Sequence, residues 1–345
     1  MTSAVSTRVT ERGLRLLVWH VHGSWTTSFV QGPHTYLLPT VPGRGPDGRG
    51  RAGRAWPERA HEVAPGDLPG AGVDAVILQR PEELELAQRW LGRRPGSEIP
   101  AIYVEHNTPR GNVPDTRHFL AGREDIPVVH VTHFNSLMWD TGIAPTRVIE
   151  HGVVDPGRLY TGESRSAAVM INEPVRRWRV TGTDLLPAFA EVAPLQVYGM
   201  GLDGLTSALG ADPARIRPVG DLSQPELHRA VARNRVYVHT ARWTSLGLSL
   251  IEAMHLGMPV VAVASTEASR AVPREAGFVS ADITELTTAL GELLDHPDLA
   301  HRMGSFGREF ALAHYGIEAF VRRWDELLLR AVPETAGTAA RGGSR

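Results

Sequence analysis

The sequence predicts a two-lobed α/β protein built on two parallel sheets, and three observations carry that expectation. Short β-branched runs alternate with stretches of helical spacing, which is the pattern of βα units rather than of an all-β or all-α fold. The alternation occurs in two series, separated by a break at Asp155 to Ser166 where Pro156, Gly157, Gly162 and two serines interrupt any periodicity. The chain has 345 residues, enough for about two ordinary domains.

In the first series, strands are expected at Leu14 to Trp19, Thr35 to Pro39, Val73 to Leu78, Ile99 to Val104, Val128 to Thr132 and Arg147 to Ile149, with a helix on Pro81 to Leu91. The second series places strands at Val169 to Asn172, Leu195 to Gly199, Ile216 to Val219, Val236 to His239 and Pro259 to Val263. After Asp282 the pattern is helical: Leu286, Leu290, Leu293 and Leu294 form one stripe, and Phe320, Trp324, Leu327 and Leu328 another. The expected divisions are a first domain over 1–158, a second over 159–315, a terminal helix over 316–333 that crosses back to the first domain, and a disordered tail over 334–345. Open α/β sheets bind ligands at the carboxyl ends of their strands, so the cleft between the lobes is the expected site.

Composition removes whole classes of chemistry. The chain has no cysteine, which excludes disulfides, thiolate nucleophiles and Cys-ligated metals. It also has no lysine: all 36 basic residues are arginine, so a Walker P-loop lysine, a Schiff base or a carbamylated lysine is impossible. The formal charge of −2 argues against nucleic acid as a partner. The first residues carry no apolar signal core, and the run from Leu14 to Trp19 is too short to span a bilayer. A cytoplasmic protein is expected, with peripheral attachment to the inner membrane face left open. Gly43 to Arg54 is irregular, with Arg44, Arg49, Arg51 and Arg54 among glycines and prolines. It reads either as a mobile surface loop or as an arginine-rich flap that grips an anionic acceptor or lipid headgroups.

The most informative stretch is Val236 to Ala264. A buried strand ends at His239, small and polar residues follow, and a helix runs from near Ser245 to Leu256, with Ser245 or Thr244 as its N-cap. Gly247 in the first turn leaves backbone N–H groups and the positive end of the helix dipole open to an anion such as a diphosphate. Glu252 is surrounded by Leu248, Leu250, Ile251, Ala253, Met254 and Leu256, and a carboxylate there needs a partner. That partner is an arginine or a ligand diol such as a ribose.

At these residues the sequence resembles the GT-B glycosyltransferases of family 4. Gly247, Leu248, Glu252, Ala253, Met254, Gly257, Pro259, Val260, Val261 and Ala262 reproduce a block of that family's second lobe, and VIEHGVVD over Val148 to Asp155 is similar to its interdomain segment. Gly182, Asp184, Leu185 and Leu186, then Gly199 and Gly201, and the late helices follow in the same order. The resemblance implies two Rossmann-like, doubly wound domains facing a cleft and a sugar transfer from a nucleotide-diphosphate donor with retained anomeric configuration. It implies roles residue by residue. Glu252 holds the donor ribose. Gly247 and Leu248 form the turn whose amides bind the donor phosphates, Thr244, Ser245 and Leu246 belong to the donor-binding stretch before it, Gly199 and Gly23 bring backbone close to the donor, and His106 acts beside the donor sugar.

Two departures from the family bear on mechanism. Thr244 stands where the family has the first acid of a Glu, seven residues, Glu pair. Asn172 and Thr181 stand where it has the basic residues that neutralise the diphosphate, so Arg176, Arg177 or Arg179 is expected to substitute, with Arg177 and Arg179 preferred. No metal or other cofactor is expected. The acceptor is a glycan, glycolipid or small molecule. The rival readings are a non-catalytic scaffold on the same fold that binds a nucleotide or a partner protein, and a nucleotide-sugar epimerase. His20 and His22 at the end of the first strand read as a metal pair of barrel hydrolases or as one cleft and one packing histidine, and His130 and His133 as half-buried core residues or, for His133, an acceptor contact.

Overall fold

A computed structural model describes residues 13–332; the readings of the first twelve residues and of the tail over 334–345 fall outside the described residues. Seven strands form the first sheet: β1 (Arg15–Val18), β2 (Thr35–Pro39), β3 (Ala60–Val63), β4 (Ala75–Leu78), β5 (Ala101–Glu105), β6 (Val128–His130) and β7 (Thr146–Val148). They run parallel in the order β3-β2-β1-β4-β5-β6-β7. The second sheet has β8 (Ser164–Met170), β9 (Leu195–Tyr198), β10 (Ile216–Gly220), β11 (Asn234–His239), β12 (Val260–Val263) and β13 (Gly277–Ser280), in the parallel order β10-β9-β8-β11-β12-β13. Each sheet reverses direction beside its first strand, the arrangement that opens a crevice at the strand ends. The expected α/β class with two doubly wound parallel sheets is the observed one.

Several elements differ from expectation. Strand β3 reads Ala-His-Glu-Val, with two exposed polar residues on a sheet edge, so it lacks the apolar run of a buried strand. β13 is the opposite edge of the second sheet and only partly buried. β8 begins at Ser164, inside the stretch read as a seam, because its first two residues are incompletely buried while the next five are buried. A short helix α1 (Gly23–Phe29) follows β1; its buried Trp25, Thr26, Ser28 and Phe29 include two polar residues that mask the apolar stripe.

The remaining helices cover the sheets. In the first lobe they are α2 (Glu83–Leu91) and α3 (His133–Met138). The second lobe carries α4 (Pro174–Thr181), α5 (Leu186–Val192), α6 (Leu205–Leu209), α7 (Gln224–Val231), α8 (Leu248–Leu256), α9 (Ala268–Ala271), α10 (Ile283–Asp295) and α11 (Pro297–Tyr315). From Leu250 to Leu256 every residue of α8 is buried. It is clamped under α11, where Gly304 sits so close to the Gly257 carbonyl that no Cβ fits. α12 (Ile317–Ala331) leaves the second lobe and inserts Phe320, Trp324, Leu327 and Leu328 into the core of the first. The Trp324 ring lies 5.0 Å from Phe29 and 5.7 Å from Trp25, edge to face. Beside it the outgoing linker pairs with the returning chain, Val153 N donating to Tyr315 O at 2.8 Å, and Gly152 lies flat against the Phe320 ring.

No helix among the described residues is long and apolar enough to cross a membrane.

The packing of α12 makes Trp324→Ala a loss of about 3–5 kcal/mol, with the first lobe unfolding earlier in denaturant titration; an unchanged midpoint would contradict the role given to this helix. Burial also pulls His130, His151 and His239 down from 6.5 to about 4. As pH falls from 6.5 towards 4, the unfolded chain takes up protons that the folded chain refuses, so stability is full above this window and lost within it. Denaturation midpoints measured across that range should fall steadily with acid, and His130→Phe should flatten the slope.

Candidate active site

The second lobe presents its site where β11 passes into α8. The N-cap of α8 is Gly247, not Ser245 or Thr244, and no side chain caps the helix. Ser245 and Leu246 are buried in the preceding loop instead. The reason is steric: a Cβ on Gly247 would stand 2.7 Å from Cε1 of His239, so only glycine lets the chain turn this closely past the strand end. The first turn carries no acidic residue and no side-chain cap, so the first amides of the helix and the positive end of its dipole have no side-chain partner among the described residues. His239 is buried and neutral, so it shapes this turn without adding charge. Thr244 lies beside Trp243, whose indole reaches across the cleft and donates to Pro109 O of the first lobe at 3.0 Å.

Glu252 follows Gly247 by five residues, about 7.5 Å along the helix axis. It is 7% exposed, and its neighbours are Gln224 Nε2 at 3.4 Å and His228 Nε2 at 3.9 Å. No guanidinium pairs with it among the described residues. Its carboxylate lines a cavity of about 350 Å³ between the lobes, shared with Ser24 and Thr27 of α1, Val153 to Pro156 of the linker, and Gln224 and His228 of α7. His228 Nε2 is buried and has no hydrogen-bond partner. Gln224 and His228 were absent from the sequence reading. The signal was available: they are four apart on a helix opened by the Ser223 and Glu226 capping box, and so share one face.

The arginines of α4 divide by their partners. Arg176 pairs with Glu173. Arg179 pairs with Asp184 at 2.7 Å, and the other side of that carboxylate takes Arg242 at 2.5 Å, so Arg179 is committed within its own lobe. Arg177 has no ion pair among the described residues. Burial, then the nearby Arg176 and Arg110 cations, hold its pKa below the usual arginine value. Arg110 belongs to the first lobe, in the loop after β5, and no motif in the sequence marked it. Arg110 is thus near enough to Arg177 to repel it, and two like charges from the two lobes favour an anion between them. Asn172 and Thr181, at the positions of the family's basic residues, have local duties: Asn172 Oδ1 accepts from Met200 N at 2.9 Å and Thr181 Oγ1 meets Thr183 Oγ1 at 2.9 Å. Gly199 (φ 134°) ends β9 and packs on the Ile171 carbonyl, where a side chain would collide.

In the first lobe His106 sits just beyond β5, 7% exposed. Gln79 Nε2 donates to Trp19 O at 2.6 Å, which leaves Gln79 Oε1 to accept from His106 Nε2 at 3.0 Å. The proton is thereby fixed on Nε2, and Nδ1 keeps a free lone pair. Burial first, then His22 and His151, lower the His106 pKa well below the usual value, so the ring is neutral at physiological pH. The His22 ring lies 4.1 Å from that of His106, whereas His20 donates through Nδ1 to Gly50 O at 2.9 Å and packs its ring on Trp56 at 4.6 Å. The two histidines thus engage different neighbours, and no group of three or more His, Asp or Glu among the described residues is arranged to hold a metal ion. His130 is fully buried. His133 starts α3, whose next residue, Phe134, donates its backbone N–H to Glu267 of the second lobe at 2.7 Å.

Of the expected site residues, Leu248 and Glu252 line the interlobe cavity, Gly247 caps the helix that carries them, and His106 and Gly23 lie in the first lobe outside its lining. Arg179 and Gly199 are engaged in their own lobe.

A family model described as "Glycosyl transferases group 1" matches residues 181–296, which hold Thr244 to Glu252. A search of curated proteins finds no match. Among solved structures, sucrose-phosphate synthase from Thermosynechococcus elongatus is similar with a TM-score of 0.70 and 15% identity, over 92% of this chain and 98% of that one. Anabaena Alr3699/HepE in complex with UDP-glucose gives 0.68 and 16%, over 92% and 100%. A glycosyltransferase from Rickettsia africae gives 0.66 and 14%, over 94% and 100%. At such identities these three show a shared fold, and the family match covers the second lobe. The second lobe is thus similar to group 1 glycosyl transferases over residues 181–296, and the whole chain shares the two-lobed GT-B fold of these structures.

Proposed function

We propose that this protein transfers a sugar from a nucleotide-diphosphate donor to an acceptor hydroxyl, with retained configuration and without a metal ion. The observation that carries the proposal is Glu252, a buried carboxylate with no cationic partner that faces an interlobe cavity one and a half turns from free helix amides. In this reading the ribose hydroxyls donate to Glu252, and the diphosphate lies against the amides of Gly247 and Leu248. When the bond from the anomeric carbon to the phosphate oxygen breaks, negative charge grows on the departing nucleoside diphosphate. Arg177 and Arg110 are placed to stabilise it from both lobes, so that fixed dipoles and arginines do the work a metal does elsewhere. His106 offers its Nδ1 lone pair to a hydroxyl of the donor sugar, and Gln79 acts as the positioning residue that keeps the required tautomer. The crystallisation of the similar Anabaena protein with UDP-glucose supports a donor of this class. Thr244, neutral where the family has an acid, implies a different contact to the donor sugar.

Three outcomes test the reading. Glu252→Ala should weaken nucleoside diphosphate binding by about ten- to a hundredfold in calorimetry, the equivalent of ~1.5–3 kcal/mol, and unchanged affinity for UDP, GDP, ADP and TDP alike would remove the ribose assignment. Gln79→Leu should lower kcat by more than it raises the donor KM, in step with His106→Ala, and a fully active Gln79 variant would show that the tautomer does not matter. Donor turnover should persist in EDTA. Nucleoside diphosphate bound without release from any sugar donor, with acceptor extracts present, would favour the scaffold reading.

A further inference from the structure

The loop over 43–54 is built rather than loose, and its four arginines are used in two different ways. Arg44 forms a two-pronged pair with Glu62 at 2.6 and 2.9 Å, and the backbone N–H of Arg51 donates to the same carboxylate at 2.7 Å. The Arg51 guanidinium is consumed by the carbonyls of Arg54, Trp56 and Ala60. The loop is fastened to the end of β1 as well: Trp19 Nε1 donates to Asp47 O at 3.0 Å and His20 Nδ1 to Gly50 O at 2.9 Å. Arg44 and Arg51 are therefore internal struts.

Arg49 and Arg54 are exposed and have no ion pair among the described residues. Of the acids nearby, Glu62 is engaged by Arg44 and Arg51 and Glu83 by Arg80 at 2.8 Å, while the exposed Asp47 and Glu58 pair with neither Arg49 nor Arg54. Both free guanidinia lie close enough to His20 to disfavour its protonation, after the larger effect of burial. The Arg54 guanidinium lies over Gly23: its Nη2 stands 2.8 Å from the point where a Cβ on Gly23 would lie, and that point is 3.6 Å from His20 Nε2. Since Nδ1 of His20 is committed to Gly50, Nε2 remains a bare acceptor beside two cations. The next ring along, that of His22, abuts His106.

We propose that Arg49 and Arg54 form an anion subsite on the acceptor side of the cleft, and that the acceptor is a sugar bearing a phosphate or carboxylate. The inference rests on the glycosyl-transfer reading and names its substrate class. A planar guanidinium pairs with phosphate or carboxylate through two parallel hydrogen bonds, and two such groups with no ion pair of their own offer that pairing to a ligand. The donor does not need this site, because its own charges meet Arg177, Arg110 and α8, and the cavity with Glu252 takes Ser24, Thr27 and Ser28 of α1 rather than Gly23. An acceptor held by its anion over Gly23 extends past His22 towards His106, where transfer occurs.

The test uses the full chain saturated with whichever nucleoside diphosphate it binds. Glucose, glucose 6-phosphate and glucuronate are titrated into it by calorimetry, and the two anionic probes separate phosphate from carboxylate. At least one anionic probe should bind about tenfold tighter than glucose. The double variant Arg49→Gln/Arg54→Gln should erase that preference while leaving nucleoside diphosphate affinity within about twofold, and Arg54→Lys should retain part of it. Equal binding of all three probes, or a preference that survives in the double variant, overturns the subsite. A double variant with normal circular dichroism that loses nucleoside diphosphate affinity assigns the arginines to the donor and overturns it too. Absence of nucleoside diphosphate binding in the wild-type chain sinks the donor reading itself, which separates the two failures.

Discussion

A carboxylate buried in an apolar helix without a cation is the constraint from which the rest of this structure follows. Removing an ionised group from water costs several kcal/mol, and folds normally recover that cost with an arginine. Glu252 has only the Gln224 amide and the His228 ring nearby, and this chain has arginines in plenty. Its position is bearable because the side chain opens on an interlobe cavity of about 350 Å³ rather than on the core, which leaves room for water or a diol. Every neighbour of that cavity is then fixed: α8 must start at a glycine that clears His239, α11 must cover the helix with glycines at the contact, and the linker must pass over the opening.

Electrostatics across the cleft is the second organising feature. Acids in the second lobe are spent on holding arginines away from the centre, as Asp184 does with Arg179 and Arg242. Besides Glu252, the charges without an ion pair among the described residues include Arg177 in one lobe and Arg110 in the other, with Arg49 and Arg54 in the loop after β2. The lobes nonetheless touch, through Glu267 with the Phe134 amide and through Trp243 with Pro109 and the Phe134 ring. Neutral and charge-assisted contacts near the rim thus hold together two walls whose centres repel. An anion between two such cations would offset their repulsion.

Much of this was legible in the chain, for identifiable reasons. Fully buried parallel strands such as β4, β5 and β12 are continuous apolar runs, and α8 carries its function in one contiguous block. Where reading failed, the information was not local. Arg110 is an unremarkable residue in a glycine- and proline-bearing loop, and it matters only because folding places it opposite Arg177. Edge strands β3 and β13 lack a second buried face and so lose the hydrophobic signature. The cap of α8 was misassigned because serine and threonine are the usual caps, whereas here close passage of His239 makes glycine obligatory. Arg179 and Arg177 look equivalent in sequence; Asp184 alone tells them apart.

The two crossings between the lobes, one outgoing near Val153 and one returning at Gly316, lie side by side as a bridged pair. Gly152 is pressed against Phe320 on the adjoining turn, and Ser28 Oγ ties the Gly152 carbonyl to α1 at 2.6 Å. Two tethers joined at a single place behave as one pivot. Sliding of one lobe along the other would shear that clasp, whereas a swing about it would leave the clasp intact and widen the far rim most, so the freedom left to the lobes is rotation about an axis through two glycines.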